Sequence, residues 1–352
     1  MDNLEKKKIL FVIGSINQTT QMHQISQFLP EYDCYFSQLF DHNPFINLIL
    51  KMKLVESTVM ANHFRLRADE YLKRHDLKND FRMEVYDNKY DLVVMCTEMI
   101  FPKRVWNLKT IWVQEGMTDP LNRWSRFVMK MGMHPCFTFS TSLNGSLNRA
   151  DVYCAGSEGY KEKFTGGKTP AEKIIATGVV NFDNHLSQRT IELPYKNYVL
   201  VATSDIRELY GFDNRKKFIK NCVKIAAGRQ LIFKTHPNEK QDRAIREFRK
   251  YAPSNAVIFT EGMVDGMIPG CDVLITQYST SAYIGLGWGK EVYSYFNMDE
   301  LRKLTPMQNN GTSAQRIAAV CKRYIEFQGD KKDFLKELEK PEEIFSKLAE
   351  AI

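Results

Sequence analysis

Gln230-Leu231-Ile232-Phe233-Lys234-Thr235-His236-Pro237 and, further on, Asp272-Val273-Leu274-Ile275-Thr276-Gln277-Tyr278-Ser279-Thr280-Ser281 carry most of the meaning in this chain. Each starts as a short apolar run and ends in a polar cluster, as a buried strand does on leaving its sheet. In an open parallel sheet, ligands bind outside the carboxyl ends of the strands. Two polar clusters at such ends predict one nucleotide or phosphate pocket late in the chain. Strand alternation puts Lys234 and His236 on one side, and Pro237 helps to turn the chain there. An imidazole N–H can bond a phosphate oxygen, and a lysine adds charge nearby. Ser279, Thr280 and Ser281 bring hydroxyls and free backbone N–H groups to the start of a helix expected through Trp288, a place that suits phosphate. The same residue types also serve as an ordinary helix cap.

Working outward, short apolar runs at Ile9–Ile13, Asp91–Cys96, Thr110–Val113, Asp151–Ala155 and Ile174–Thr177 read as strands. A second series follows at Tyr198–Ala202, Gln230–Lys234, Ala256–Thr260, Asp272–Thr276 and Glu291–Phe296. The pattern between Phe45 and His75 is helical, rich in Leu, Met, Arg and Lys. Strands alternating with helices predict parallel sheets covered on both faces. The polar stretch Asn181–Tyr195, with Pro194, separates the two series. The expected organisation is therefore α/β: two Rossmann-like domains facing across a cleft, over residues 1–183 and 196–330, a linker over 184–195, and a C-terminal helix over 331–352.

The length of 352 residues is enough for two cores, and the apolar content of 43% with 26% charged residues is that of a globular chain. The formal net charge of +7 suits phosphorylated substrates or an anionic bilayer surface, and solvation alone accounts for it equally well. The seven cysteines form no CxxC pair, which points to a reducing compartment. Cys96, Cys154 and Cys271 sit in or beside apolar runs and read as small buried hydrophobes. No apolar run approaches the ~20 residues of a membrane-spanning helix, so the expected location is cytoplasmic, with peripheral contact at the inner face of the membrane as its limit. There is no HExxH or Cys/His cluster of metal-ligand spacing, no GxSxG elbow and no nucleic-acid module.

The stretch Asp272 to Thr280, continuing to Gly289-Lys290-Glu291-Val292, resembles the C-terminal half of CDP-glycerol glycerophosphotransferases, members of the wider GT-B glycosyltransferase group. In that family a His-Pro pair and a Tyr-Ser-Ser segment contact the donor nucleotide and its phosphates. The resemblance implies that His236, Ser279 and Thr280 do so here, with Lys234, Pro237, Tyr278 and Ser281 beside them. Similar His-Pro and Ser/Thr motifs occur in bacterial sialyltransferases and in Kdo transferases of capsule synthesis. The family usually has an acid before the tyrosine and another in the following helix, whereas this chain has Gln277 and Ile284. Both departures bear on ribose and donor recognition.

In the first half, Gln114-Glu115-Gly116 ends the strand Thr110–Val113 and is similar to the acidic-acidic-Gly motif of bacterial sialyltransferases. There an acid activates the acceptor hydroxyl, and only Glu115 can carry that role over, because Gln114 replaces the first acid. A strand-end carboxylate suits general-base work when burial raises its pKa. Asp119 and His23 are the other candidates, and loop solvation, capping or core packing would explain any of the three. The first strand-to-helix turn, Gly14-Ser15 with Asn17, Gln18, Thr19 and Thr20, lacks the later glycines of GxGxxG. That argues against a dinucleotide cofactor and fits acceptor or sugar hydroxyl contacts through Gly14, Ser15, Asn17 and Thr19. Ser157–Tyr160 and Thr177–Asp183 also resemble GT-B enzymes at the close of the N-terminal domain, with Gly178 serving the turn. The aromatic and basic mixture between Trp106 and Phe139 reads as core packing, with a lipid-headgroup surface as the alternative.

The leading expectation is an inverting, metal-independent transferase. It would move a group from a nucleotide-activated sugar or polyol donor to a glycan or lipid-linked acceptor in surface-glycan synthesis, with no cofactor and no nucleic-acid partner. A nucleotide-sugar 2-epimerase on the same fold is the second reading, although that family carries Ser-Gly-Gly where this chain has Ser279-Thr280-Ser281. A non-catalytic nucleotide-binding or scaffold subunit of a surface-glycan assembly complex, which would bind ligand without turnover or bind none, is the third.

Overall fold

The computed structural model describes residues 6–38, 62–86, 88–138, 140–187, 190–208 and 212–349. The first unit contains β1 (Lys8–Ile13), α1 (Ile16–Ser26), β2 (Asp33–Gln38), α2 (Asn62–Arg74), β3 (Leu92–Met95), β4 (Thr110–Val113), α3 (Arg123–Lys130), β5 (Val152–Ala155), α4 (Glu158–Thr165) and β6 (Ile174–Ala176). Its sheet runs β2-β1-β3-β4-β5-β6, and every pairing is parallel. β1, β3 and β4 are near-continuous apolar runs because helices cover both faces. The chain order steps from β1 to β2 on one side and then returns to β3 on the other. The switch point therefore lies between β1 and β3.

The second unit begins within α5 (Val180–Leu186) and holds β7 (Val199–Ala202), α6 (Arg215–Ala226), β8 (Leu231–Lys234), α7 (Gln241–Tyr251), β9 (Val257–Phe259), β10 (Val273–Thr276), α8 (Ser281–Gly287), β11 (Glu291–Tyr293) and α9 (Met298–Leu304). Its parallel sheet is ordered β11-β10-β7-β8-β9, which puts the switch between β7 and β10. Val199, Val201, Phe218, Cys222, Phe233 and Phe248 share one core. The Phe233 and Phe248 rings stack at 4.3 Å.

The strands expected from sequence are present, but the domain limits differ. The compact units are residues 1–181 with 309–352, and residues 182–308. After α9 the chain returns as α10 (Ser313–Glu326), α11 (Lys331–Leu338) and α12 (Pro341–Ala349), all belonging to the first unit. Ile317, Val320, Cys321 and Tyr324 lie in one core with Ile9, Phe11 and Ile13. The Tyr324 hydroxyl donates to Asp151 Oδ2 at 2.8 Å, and Lys109 Nζ donates to the Tyr324 and Phe327 carbonyls. Residues 309–330 are thus not part of the second domain, and 331–352 is not a separate appendage. The expected linker at 184–195 is also displaced: its start is the end of α5, and Ile191 N–H already bonds Gly266 O at 2.7 Å inside the second unit.

Three further readings change. β2 went unrecognised because Asp33-Cys34-Tyr35-Phe36-Ser37-Gln38 mixes polar residues into an edge strand. The helical reading from Phe45 to Ala61 lies outside the described residues, and from Asn62 onward it is α2. Between Trp106 and Phe137, Trp112 is a core residue, whereas Trp106, Trp124 and Phe127 are exposed. Cys96, Cys154 and Cys271 are buried free thiols, and burial pushes Cys154 and Cys271 up to about 12. The turn at Gly178 is real: its φ is +88°, and a Cβ there would fall 2.2 Å from Ser313 Oγ at the start of α10.

The returning α10 makes a measurable claim. Ile317→Ala is expected to destabilise the first unit by ~2–5 kcal/mol, because a fully buried isoleucine leaves a cavity. Urea unfolding should show a lower midpoint, and an unchanged midpoint would contradict this packing.

Candidate functional site

The first unit gathers its polar groups at the carboxyl ends of β1 and β4. α1 begins there because Ser15 adopts an extended conformation and its hydroxyl accepts from Gln18 N–H. The same Ser15 Oγ donates to Glu115 Oε1 at 3.1 Å, and Gln18 Nε2 donates to Glu115 Oε2 at 2.6 Å. Asn181 Nδ2 adds a bond to the Glu115 carbonyl at 3.0 Å. Both carboxylate partners are neutral. Burial pushes the Glu115 carboxyl above the ordinary carboxylate range, and the Gln18 and Ser15 hydrogen bonds offset only part of that. A carboxylate of this kind, beside a sheet's switch point, can take a proton from a bound hydroxyl.

The structure explains the residue before it. Gln114 is buried; its Oε1 accepts from Gly156 N–H and its Nε2 donates to Gly116 O, each at 2.8 Å. An ionised acid could make only the first bond. Gln114 therefore joins the ends of β4 and β5 and leaves Glu115 as the acid of the pair.

The other candidates separate. Asp119 is exposed and tied to Thr141, accepting from its N–H at 2.9 Å and its hydroxyl at 2.8 Å. His23 lies eight residues beyond Ser15 on α1, ~12 Å along the helix. Its Nδ1 meets the Tyr71 hydroxyl of α2 at 3.0 Å, and its ring lies 5.0 Å from that of His75. Burial, and then the nearby His75, hold its pKa below the ordinary histidine value. His23 belongs to the α1–α2 packing rather than to the Glu115 group. Thr19 is fully buried with its hydroxyl on Ser15 O, and Gly14 is buried, so both shape the turn. Asn17 is exposed at the start of α1.

In the second unit, three adjacent strand ends carry polar groups, two of them expected from sequence. Thr203-Ser204 follows β7, Thr235-His236-Pro237 follows β8, and Gln277-Tyr278-Ser279 follows β10. Ser204 Oγ donates to Tyr278 O at 3.3 Å, bridging the β7–β10 switch. His236 is partly exposed, and its Nδ1 accepts from Asn238 N–H at 3.3 Å. A neutral ring with Nδ1 as acceptor carries its proton on Nε2, a donor left for a ligand. Asp205 Oδ2 lies 3.6 Å from Nδ1. Lys234 behaves differently from expectation. It is buried, its Nζ donates to Thr235 O at 2.8 Å, and burial lowers its pKa against the pull of Glu239.

Ser279 and Thr280 do not cap a long helix. α8 starts at Ser281 and has seven residues, so little dipole builds up. Ser279 Oγ accepts from Ser281 N–H at 3.2 Å and donates to Ser281 Oγ at 3.1 Å. What they offer a ligand is hydroxyls and backbone N–H groups. Tyr278 projects its ring, 57% exposed.

Sequence reasoning missed the charges beneath this surface. Arg215 at the start of α6 pairs with Asp213 at 2.9 Å and Glu239 at 2.5 Å, and all three side chains are buried. Glu239 Oε2 also accepts from the Thr203 hydroxyl and from His236 N–H at 3.3 Å. Gln277 Nε2 donates to Asp213 Oδ1 at 3.0 Å. An acid at position 277 would meet that carboxylate, so the glutamine is the complementary choice. Ile284 is buried in α8. No periodicity flags such a network, although Thr203-Ser204 could have been found as a third polar strand end.

Two parallel-sheet, Rossmann-like units place the fold in the GT-B class. A protein assigned as a UDP-N-acetylglucosamine 2-epimerase from Listeria monocytogenes is similar, with a TM-score of 0.59, 12% identity, and coverage of 93% of this chain and 98% of that one. S. aureus MnaA in complex with UDP aligns with a TM-score of 0.52 and 12% identity over 91% and 97% of the two chains. UDP-GlcNAc 2-epimerase from Neisseria meningitidis bound to UDP-GlcNAc gives 0.50 and 11% over 90% and 100%. At these identities the likeness is one of fold. The chain matches no protein-family model, and no curated protein matches it.

Proposed function

We propose that this chain is a GT-B-type transferase that moves a group from a nucleotide-activated sugar or polyol to an acceptor hydroxyl in surface-glycan synthesis, inverting and without a metal. The observation that carries the proposal is Glu115, a half-buried carboxylate after β4 that reaches the β1–α1 turn and is held, among the described residues, by neutral donors. It takes the acceptor proton as the hydroxyl attacks. In the second unit, His236 Nε2–H with the Ser279, Thr280 and Ser281 groups holds the donor phosphates and stabilises charge developing on the leaving nucleotide. Tyr278 offers a flat face beside them. The CDP-glycerol subclass rests on the sequence motifs alone.

The second reading, a nucleotide-sugar 2-epimerase, is favoured by fold likeness to the UDP-GlcNAc 2-epimerases above. Incubation with UDP-GlcNAc and no acceptor discriminates, since an epimerase converts it and a transferase does not. The donor site is tested by a thermal-shift panel of CMP, CDP, UDP, GDP and ADP on the native chain and on His236→Ala. One nucleotide is expected to stabilise the native chain, by about 2.7 kcal/mol at a hundred times its Kd. His236→Ala should lose that shift. Stabilisation by none of the five would remove the donor-site assignment and favour a scaffold.

A further inference from the structure

The structure leaves an aromatic, basic surface on the first unit that the proposed chemistry does not use. α3 turns Ser125 and Val128 inward, while Trp124 and Phe127 stand 48% and 46% exposed. Their rings stack at 5.4 Å with 22° between planes, and Trp124 Nε1 donates to Phe137 O at 2.9 Å. Met131, Met133 and Phe137 extend the exposed apolar surface beyond the helix end. Soluble surfaces seldom hold so many large apolar side chains together without a partner.

Along this stretch of chain the charge has one sign. From Pro120 to Ala150 the sequence contains Arg123, Arg126, Lys130 and Arg149 and no acidic residue. Arg123, Arg126 and Lys130 are exposed on α3 itself. Lys168 joins them, its Nζ donating to Met129 O at 3.2 Å. Asp119, just before the stretch, is the exposed acid at its edge, hydrogen-bonded by Thr141.

We propose that α3 and the turn after it form a docking surface for an anionic lipid bilayer. Trp124, Phe127 and Met131 enter the interfacial layer, while Arg123, Arg126, Lys130 and Lys168 meet the headgroups. Aromatic rings with basic residues beside them favour that zone, and a protein partner of ordinary composition would not require such uniform charge. Membrane docking goes beyond the proposed chemistry, and its test uses no substrate.

The experiment is co-sedimentation of the full chain with vesicles of phosphatidylcholine alone and with phosphatidylglycerol added at about a third of the lipid. Binding is expected only to the anionic vesicles and should weaken with salt, because the headgroup contacts are screened. Each basic residue near such a surface contributes about five-fold in partition, so Arg126→Glu/Lys130→Glu should lower it by at least ~25-fold. Trp124→Ser/Phe127→Ser should lower it about ten-fold or more even at low salt. No binding to anionic vesicles, or binding by both double variants equal to that of the native chain, would overturn the proposal. A change of oligomeric state in the Trp124→Ser/Phe127→Ser variant without vesicle binding would overturn it too, in favour of self-association.

Discussion

Glu115→Gln is expected to lower turnover by about 10²–10⁴-fold, the usual contribution of a positioned general base, with little change in stability. The amide keeps the shape of the side chain. Its oxygen can still accept from Gln18 or Ser15, but it cannot take a proton from the acceptor. The native rate should fall with acidification through an acid limb above the ordinary carboxylate range, because only the ionised form is a base. Stability has the opposite sign. A carboxyl whose folded pKa is raised contributes stability that is fully present below its unfolded value and is lost as pH rises through the folded value. The buried Glu98, also raised by burial, adds in the same direction. Steady-state rates of both forms across pH, once the donor is known, check this. Full turnover by Glu115→Gln would remove Glu115 from the chemistry.

Glu239→Ala carries the second large effect, this time on stability. Its carboxylate neutralises Arg215, accepts from Thr203 and holds the His236 backbone N–H. Truncation leaves Arg215 buried with Asp213 as its remaining carboxylate and takes from Thr203 and His236 the carboxylate they share, leaving His236 N–H on Thr203 Oγ1. Removing one member of a buried ion pair costs about 3–5 kcal/mol, so a large drop in the urea midpoint is expected. The same change frees the turn that carries His236, and any nucleotide-induced thermal shift should shrink with it. Adding Arg215→Met is not expected to restore the midpoint, because the buried Asp213 then loses its nearest cation and keeps only Arg207 at 3.8 Å. A midpoint unmoved by Glu239→Ala would show that the network holds little.

The sequence was most legible where strand ends meet polar clusters. Glu115, His236 and the Tyr278–Ser281 segment stand beside short apolar runs, and a parallel sheet must deliver such residues to one edge. Lys234 shows the limit of that reasoning. Alternation names the side of the strand but not where a long flexible side chain ends, and here its amine turns onto Thr235 O. His23 shows another limit, since a residue two helical turns past a turn no longer shares its surroundings. Trp124 and Phe127 carry no mark of exposure in their spacing, and only packing revealed which ring the core had room for.

By itself, then, the order of residues determined two series of parallel strands, the edges at which they present polar groups, and the identity of the strand-end acid. Those follow from local hydrophobic runs and backbone geometry, which need no knowledge of distant residues. Tertiary structure alone decided the return of α10 to the first core, the buried Arg215–Glu239 pair, and the neutral bonds that Ser15 and Gln18 give to Glu115. Each of these joins residues far apart in the chain. Their pairing depends on which surfaces meet when the sheets are covered, and no local pattern encodes that.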